Sequence, residues 1–174
     1  MDKKITLSIL TIMCLTALCS CGNSEESSST STTESQATEQ LDRAVDFDAE
    51  SIIQYFIDNK APDFGEHIVY DESTDPNELL GRPDQYTSKA DFSITTIEVS
   101  DESDPYCATI EVFDNETNAQ ARYDYIDAIY NEMPILKQYM YMNGTVILRM
   151  DFDTLPSDEK KYEELLDSYI ESLN

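Results

Sequence analysis

The chain has 174 residues, with 11 Lys+Arg against 36 Asp+Glu, a single His, four Cys, no Trp and a formal net charge of −25. This is room for one globular domain plus appendages. So acidic a balance excludes nucleic acid as the main partner, because phosphate binding needs Lys and Arg to displace counterions.

Residues 1–21 read as an export signal. Lys3 and Lys4 form a positive start, and Ile5 to Cys19 form an apolar stretch of 15 residues. That length fits the roughly 7–15 residue core of a secretory signal and falls short of the roughly 18–20 residues of a membrane-spanning helix. Leu18-Cys19-Ser20-Cys21 closes the stretch and resembles the lipobox of bacterial lipoproteins. The resemblance makes Leu18 the −3 residue, Ser20 the small −1 residue and Cys21 the cysteine that receives diacylglycerol before cleavage in front of it. Cys19 departs from the usual Ala, Ser or Thr at −2. After processing only Cys107 remains in the folded part, so an intramolecular disulfide is impossible and stability must come from packing.

Residues 22–46 hold no aromatic residue, are dominated by Ser, Thr, Glu and Gln, and carry six acidic groups against Arg43. Such a composition cannot bury enough apolar area to offset ordering, which predicts a disordered tether spanning on the order of 25–30 Å. From Phe47 onward the composition changes: all 17 Phe and Tyr residues lie in 47–174, which carry eight Lys+Arg and 29 Asp+Glu, a net charge of −21.

Within that segment the pattern predicts a helix over 48–60, capped by Asp48, with Ile52, Ile53, Phe56 and Ile57 as its stripe. A short strand follows at 68–70. Asp75-Pro76-Asn77-Glu78-Leu79-Leu80-Gly81 predicts one helical turn with Asp75 as its cap and Gly81 as its terminator. Strands are expected at about 91–99 and 106–113, the second placing Ala108, Ile110 and Val112 on one face. A helix over about 117–132 begins with Thr117 and Gln120 as a capping pair and stops at Pro134. Asn143-Gly144 predicts a type I′ hairpin turn between strands 137–142 and 145–151, with Tyr141 opposite Val146 and Tyr139 opposite Leu148. The last helix, 157–173, has Ser157 as its expected cap and buries Tyr162, Leu165, Leu166, Tyr169, Ile170 and Leu173. The order predicts an α+β fold, an antiparallel sheet of four to five strands with helices packed on one face. Arg122-Tyr123-Asp124 and Lys161-Tyr162-Glu163 open similar helix segments after similar strands, which is consistent either with a ββα duplication or with the shared needs of two helices.

The residues for chemistry are sparse. One imidazole, His67, and no HExxH pattern leave no catalytic zinc site to expect, and His67 with Cys107 lacks any supporting motif for nucleophilic catalysis. Ser157-Asp158-Glu159-Lys160 matches an SxxK string without its companions, and a helix cap explains Ser157. The acidic groups Asp71-Glu72 with Asp75, Asp101-Glu102-Ser103-Asp104, and Asp151-Phe152-Asp153 do not fit an EF-hand loop. Tyr123, Tyr130, Tyr162 and Tyr169 fall on helix core faces, which leaves Tyr86, Tyr106 and Tyr125 free.

The most distinctive segment is 75–89, DPNELLGRPDQYTSK, where Gly81 and Pro83 hold Arg82, and Tyr86 and Lys89 follow. In so acidic a domain these cations form a local spot for a carboxylate, phosphate or sugar, or else pair with neighbouring Asp residues. Together with Ile110 to Phe113, Ala119, Arg122, Tyr125, Ile126 and Leu148-Arg149, the segment resembles small, uncharacterised lipoproteins of Gram-positive bacteria over most of 50–170. The resemblance implies an extracytoplasmic domain anchored to the cell membrane and brings no activity with it. The expectation is therefore a non-catalytic domain held to the membrane through lipid on Cys21, without cofactor or metal. It binds a cell-surface protein or small ligand through Arg82, Tyr86 and Lys89, with Arg149 as neighbour. The alternatives are a wall-modifying hydrolase using carboxylates and a weak calcium-binding adhesion module.

Overall fold

The computed structural model describes residues 47–98 and 104–173. The signal stretch, the lipobox with Cys21, the 22–46 tether and Asp101, Glu102 and Ser103 of the acidic turn lie outside the described residues.

Helix α1 (Ala49–Asp58) is capped by Asp48, whose carboxylate accepts from the Ser51 amide at 2.8 Å. Ile52, Ile53 and Phe56 are buried, whereas Ile57 turns outward. Strand β1 (Phe64–Val69) begins earlier than the sequence pattern suggests because Phe64 joins the ladder opposite Ile94. Strands β2 (Ser88–Ile94) and β3 (Ala108–Val112) follow, then helix α2 (Glu116–Glu132). Asn115, not Thr117, caps α2, accepting from the Asn118 amide at 2.9 Å. Pro134 ends that helix and opens a short 3-10 turn, Pro134–Leu136.

Strands β4 (Gln138–Asn143) and β5 (Val146–Asp151) form the expected hairpin, in a different register. Tyr141 lies opposite Leu148 and Tyr139 opposite Met150, two residues from the expected pairing. The positive φ falls on Gly144 alone, at +57°. Gly144 and Thr145 are thus the two central turn residues, and Gly stands at the first of them, as a type II′ turn prefers. A shift of two residues keeps every side chain on its expected face. Helix α3 (Pro156–Ser172) starts one residue earlier than expected, with Pro156 at its first position and Leu155, which supplies no side-chain cap, in front of it. Ser157 is inside the helix.

The sheet has the order β1-β2-β3-β5-β4 and is antiparallel throughout. It is the expected α+β architecture, but its helices do not share a face. Ala90, Phe92 and Ile94, Ala108, Ile110 and Val112, and Val146, Leu148 and Met150 pack with α1 and α3. Ile147, one residue out of phase, packs instead with Ala119 of α2. Neighbouring strand residues point to opposite faces, so α2 covers the other side. A two-fold rotation that superposed β2-β3 on β4-β5 would keep α2 on its own face of the sheet, whereas α3 lies on the other, so the similar triplets reflect the shared needs of two helices and not a symmetric repeat. Cys107 is buried beside β3, its sulfur accepting from the Ile94 amide, and burial raises its pKa.

Candidate binding cleft

The segment 71–87, which connects β1 to β2, forms turns and no helix. Asp75 does satisfy successive amides, but from a loop: its carboxylate accepts from the amides of Asn77, Leu79 and Leu80. It also accepts from the Tyr86 hydroxyl at 2.7 Å and from Lys89 Nζ at 3.3 Å. Five donors around one buried carboxylate set the loop's path. Burial opposes the charge of Asp75, but the bonds from Tyr86, Leu79, Leu80 and Asn77 outweigh it and bring the pKa down to about 2. Burial and the same carboxylate push the Tyr86 hydroxyl up. Gly81 has φ +74°, a left-handed conformation that favours glycine.

The sequence pattern assigns Arg82, Tyr86, Lys89 and Arg149 to one contact surface. Tyr86 and Lys89 do converge, on Asp75, but Tyr86 is 0% exposed and Lys89 is 2% exposed, so neither is the free group expected. Lys89 also pairs with Asp91 at 3.5 Å and lies 4.4 Å from the centroid of the Tyr70 ring. Arg149 reaches the same face from β5 and pairs with the buried Glu111 at 3.4 Å. Arg82 stays apart, exposed and paired with Glu78 at 3.5 Å. The reason is the alternation of the strands, which turns Lys89, Glu111 and Arg149 under α2 while their neighbours enter the apolar core.

Arg122 of α2 was absent from the expected set. Its Nε and Nη2 bond both oxygens of Glu111, at 3.2 and 2.9 Å, so Glu111 holds two guanidinium groups. Burial works against the charge of Arg122, and Glu111 more than restores it, raising the pKa. A sequence signal existed: Arg122 stands three residues after Ala119 and four before Ile126, on the stripe that faces the sheet. The whole network balances three cations, Lys89, Arg122 and Arg149, against Asp75, Asp91 and Glu111.

Above Arg122 lies a cleft of about 330 Å³ between the loop and α2. Leu79, Asp84 and Gln85 form one wall, and Asn118, Arg122 and Tyr125 the other. The Arg122 guanidinium lies 5.9 Å from the centroids of both the Tyr86 and Tyr125 rings. Tyr86 is buried beneath it, while Tyr125 is 60% exposed. Glu111 engages two of the five N–H donors that a guanidinium carries. The cleft thus offers an aromatic face, amide donors and acceptors, a carboxylate and a fixed cation.

The acidic groups considered for calcium serve turns. Asp71 Oδ1 accepts from the Ser73 amide and hydroxyl and from the Thr74 amide, and Asp151 Oδ1 accepts from the Asp153 amide. Among the described residues no three potential metal ligands gather, and no described helix is long and apolar enough to cross a membrane. Comparison with protein-family models, with curated proteins and with solved structures finds no match.

Proposed function

We propose that the chain is a non-catalytic binding domain on the extracytoplasmic face of the cell membrane of a Gram-positive bacterium, held there by lipid on Cys21 and recognising a small polar ligand in the cleft between the 79–85 loop and α2. The anchoring half of this reading rests on the Leu18-Cys19-Ser20-Cys21 pattern. The observation that carries the binding half is the exposed Tyr125 ring beside Arg122, on a floor whose charges are already matched. An exposed ring stacks on the apolar face of a sugar, while Gln85, Asn118 and Asp84 pair with hydroxyl groups, which favours a hydroxyl-rich ligand such as a wall glycan fragment.

Thermal-shift measurements on the full chain in neutral detergent, with wall glycan fragments as the probe, test the cleft. The midpoint rises with the fragments through linkage, and Tyr125→Ala abolishes the rise while leaving the unliganded midpoint in place. An equal rise in Tyr125→Ala, or none in the native chain, overturns it. For the anchor, metabolic labelling with palmitate tags the native chain and not Cys21→Ala; equal labelling of both would remove Cys21 as the lipid site.

A further inference from the structure

The sheet ends in two strands that differ in how their outer edges are protected. β1 is broken by an irregularity between Phe64 and His67 and carries Glu66, devices that discourage pairing with another chain. β4 reads Gln-Tyr-Met-Tyr-Met-Asn, with no charged residue in a chain that is 27% charged. Its six residues pair with β5 without a break. Counting the antiparallel alternation from the Asn143–Val146 pair that flanks the turn, Tyr139, Tyr141 and Asn143 bond to β5. The N–H and C=O groups of Met140 and Met142 then point to the outer edge.

We propose that this edge accepts an extended, basic segment of a partner protein as a sixth strand of the sheet. The walls on either side of β4 define the charge of the occupant. On the α3 side, Asp167 accepts from the Tyr141 hydroxyl at 2.7 Å and from Asn143 Nδ2 at 2.6 Å. Glu163 and Glu159 continue the same flank of α3 at intervals of four residues. Burial, then the neighbouring Glu159 and Asp167, push the Glu163 carboxyl up to about 7, and an arriving Lys or Arg relieves that crowding. On the α2 side, Glu116 and Asp124 border a groove of about 530 Å³ whose other wall includes Met142 and Gly144. At the Gln138 end apolar side chains stand beside one cation: Ile135 is 94% exposed, Leu136 and Phe152 about half, and Lys137 lies over the Phe152 ring at 5.9 Å. Main-chain bonds to the edge supply affinity in such strand addition, and alternate side chains supply specificity. The occupant therefore presents basic residues along β4 and an apolar one beside Ile135 and Phe152.

A second copy of the chain fits this edge poorly. Antiparallel pairing of β4 with its own copy about a two-fold axis sets both α3 helices on the same side of the extended sheet. The two Glu159–Glu163–Asp167 flanks would then repel, each within a domain of net charge −21.

The proposal extends the idea of a binding domain to a surface separate from the cleft, and the two fail separately. The probe is a fluorescein-labelled octapeptide of alternating Lys and Val, titrated into the full chain in neutral detergent and followed by anisotropy. A peptide of the same charge with two central Pro residues controls for attraction to an acidic surface. The alternating peptide binds at least tenfold more tightly than the Pro-interrupted one, slows amide exchange at Met140 and Met142, and weakens at least tenfold against Met140→Pro. Proline is tolerated on an edge whose N–H faces outward. Glu159→Lys/Glu163→Lys gives the same loss by a change on α3, should Met140→Pro fail to fold. Tyr125→Ala leaves the peptide affinity unchanged. Equal binding of the two peptides, unchanged exchange at Met140 and Met142, or a stable dimer that excludes the peptide would overturn the proposal.

Discussion

Beneath α1 and α3 the sheet presents Ala90, Phe92, Ile110, Leu148 and Met150, and rings cluster on it: Phe64 stacks on Phe92, Phe56 meets it edge-on and Tyr162 at a tilt, each within 6.1 Å centroid to centroid. One residue along each strand, the other face presents Lys89, Asp91, Glu111 and Arg149 beneath α2 and the 71–87 loop. The first face draws its stability from removing apolar area from water. Removing charges from water is costly, so the second holds only because each charge has an opposite partner, although Asp91 Oδ1 and Arg149 Nε are buried without a hydrogen bond. An apolar face tolerates small slips, whereas hydrogen-bonded ions fix their partners' positions. The cleft stands over the face of the second kind, where Arg122 and Asp75 set the positions of α2 and the loop.

Single substitutions on the two faces separate these accounts. Phe92→Ala leaves a cavity among Phe56, Phe64 and Tyr162 and costs about 3–5 kcal/mol in urea denaturation. Glu111→Met strands two guanidinium groups and costs a similar amount, about 3–5 kcal/mol, although it adds apolar surface. Replacing Glu111, Arg122 and Arg149 together by Met and Leu recovers most of that loss, because no charge is then left unpaired. A triple variant as unstable as the single one would show that the charges contribute net stability.

Asp75 comes next. Its pKa in the folded state, about 2, lies below its ordinary 3.8, so its contribution is full above pH 3.8 and is lost as pH falls toward 2. The shift corresponds to about 2 kcal/mol. Asp75→Asn removes that pH dependence; an unchanged acid limb in denaturation midpoints between pH 6 and 2.5 would deny Asp75 its central role. The smallest effect lies on α3. Glu163 titrates at about 7 against an ordinary 4.5, so its folded-state advantage is present below pH 4.5 and lost as pH rises through 7. Glu163→Gln raises stability at pH 8 by about 1 kcal/mol after allowance for solvent screening and has no effect at pH 4.

The apolar face was legible in the sequence because its signals are periodic. Ala108, Ile110 and Val112 alternate, and Tyr162, Leu165, Leu166 and Tyr169 repeat with a helical period. The polar face was hidden by the same rule, since Glu111 and Arg149 occupy positions that alternation assigns to solvent, while Lys89 precedes the strand expected at about 91–99 and lies in β2 only because that strand starts at Ser88. Covering them requires knowing that α2 crosses to the other side, and that crossing has no local signature. The 75–81 segment shows a related limit: a cap, a Pro and a terminal Gly fit a helical turn, but Tyr86 and Lys89 compete for the same carboxylate from outside the local window. Tyr125 was recognised as exposed, while Tyr86, in the same class by sequence, is the floor beneath Arg122.

The sheet's connectivity also sets the order in which its parts assemble. The β4-β5 hairpin needs only the turn at Gly144 and closes in about 1–10 μs. β3, at the centre, pairs Ala108 with Met150 and Val112 with Val146, so joining the two halves closes a long loop that contains all of α2. Loop closure must precede the contacts that reward it, and the β3-β5 seam joins residues farther apart in the chain than any other pairing in the sheet. The ion pair of Glu111 with Arg149 straddles that seam and forms only when it does.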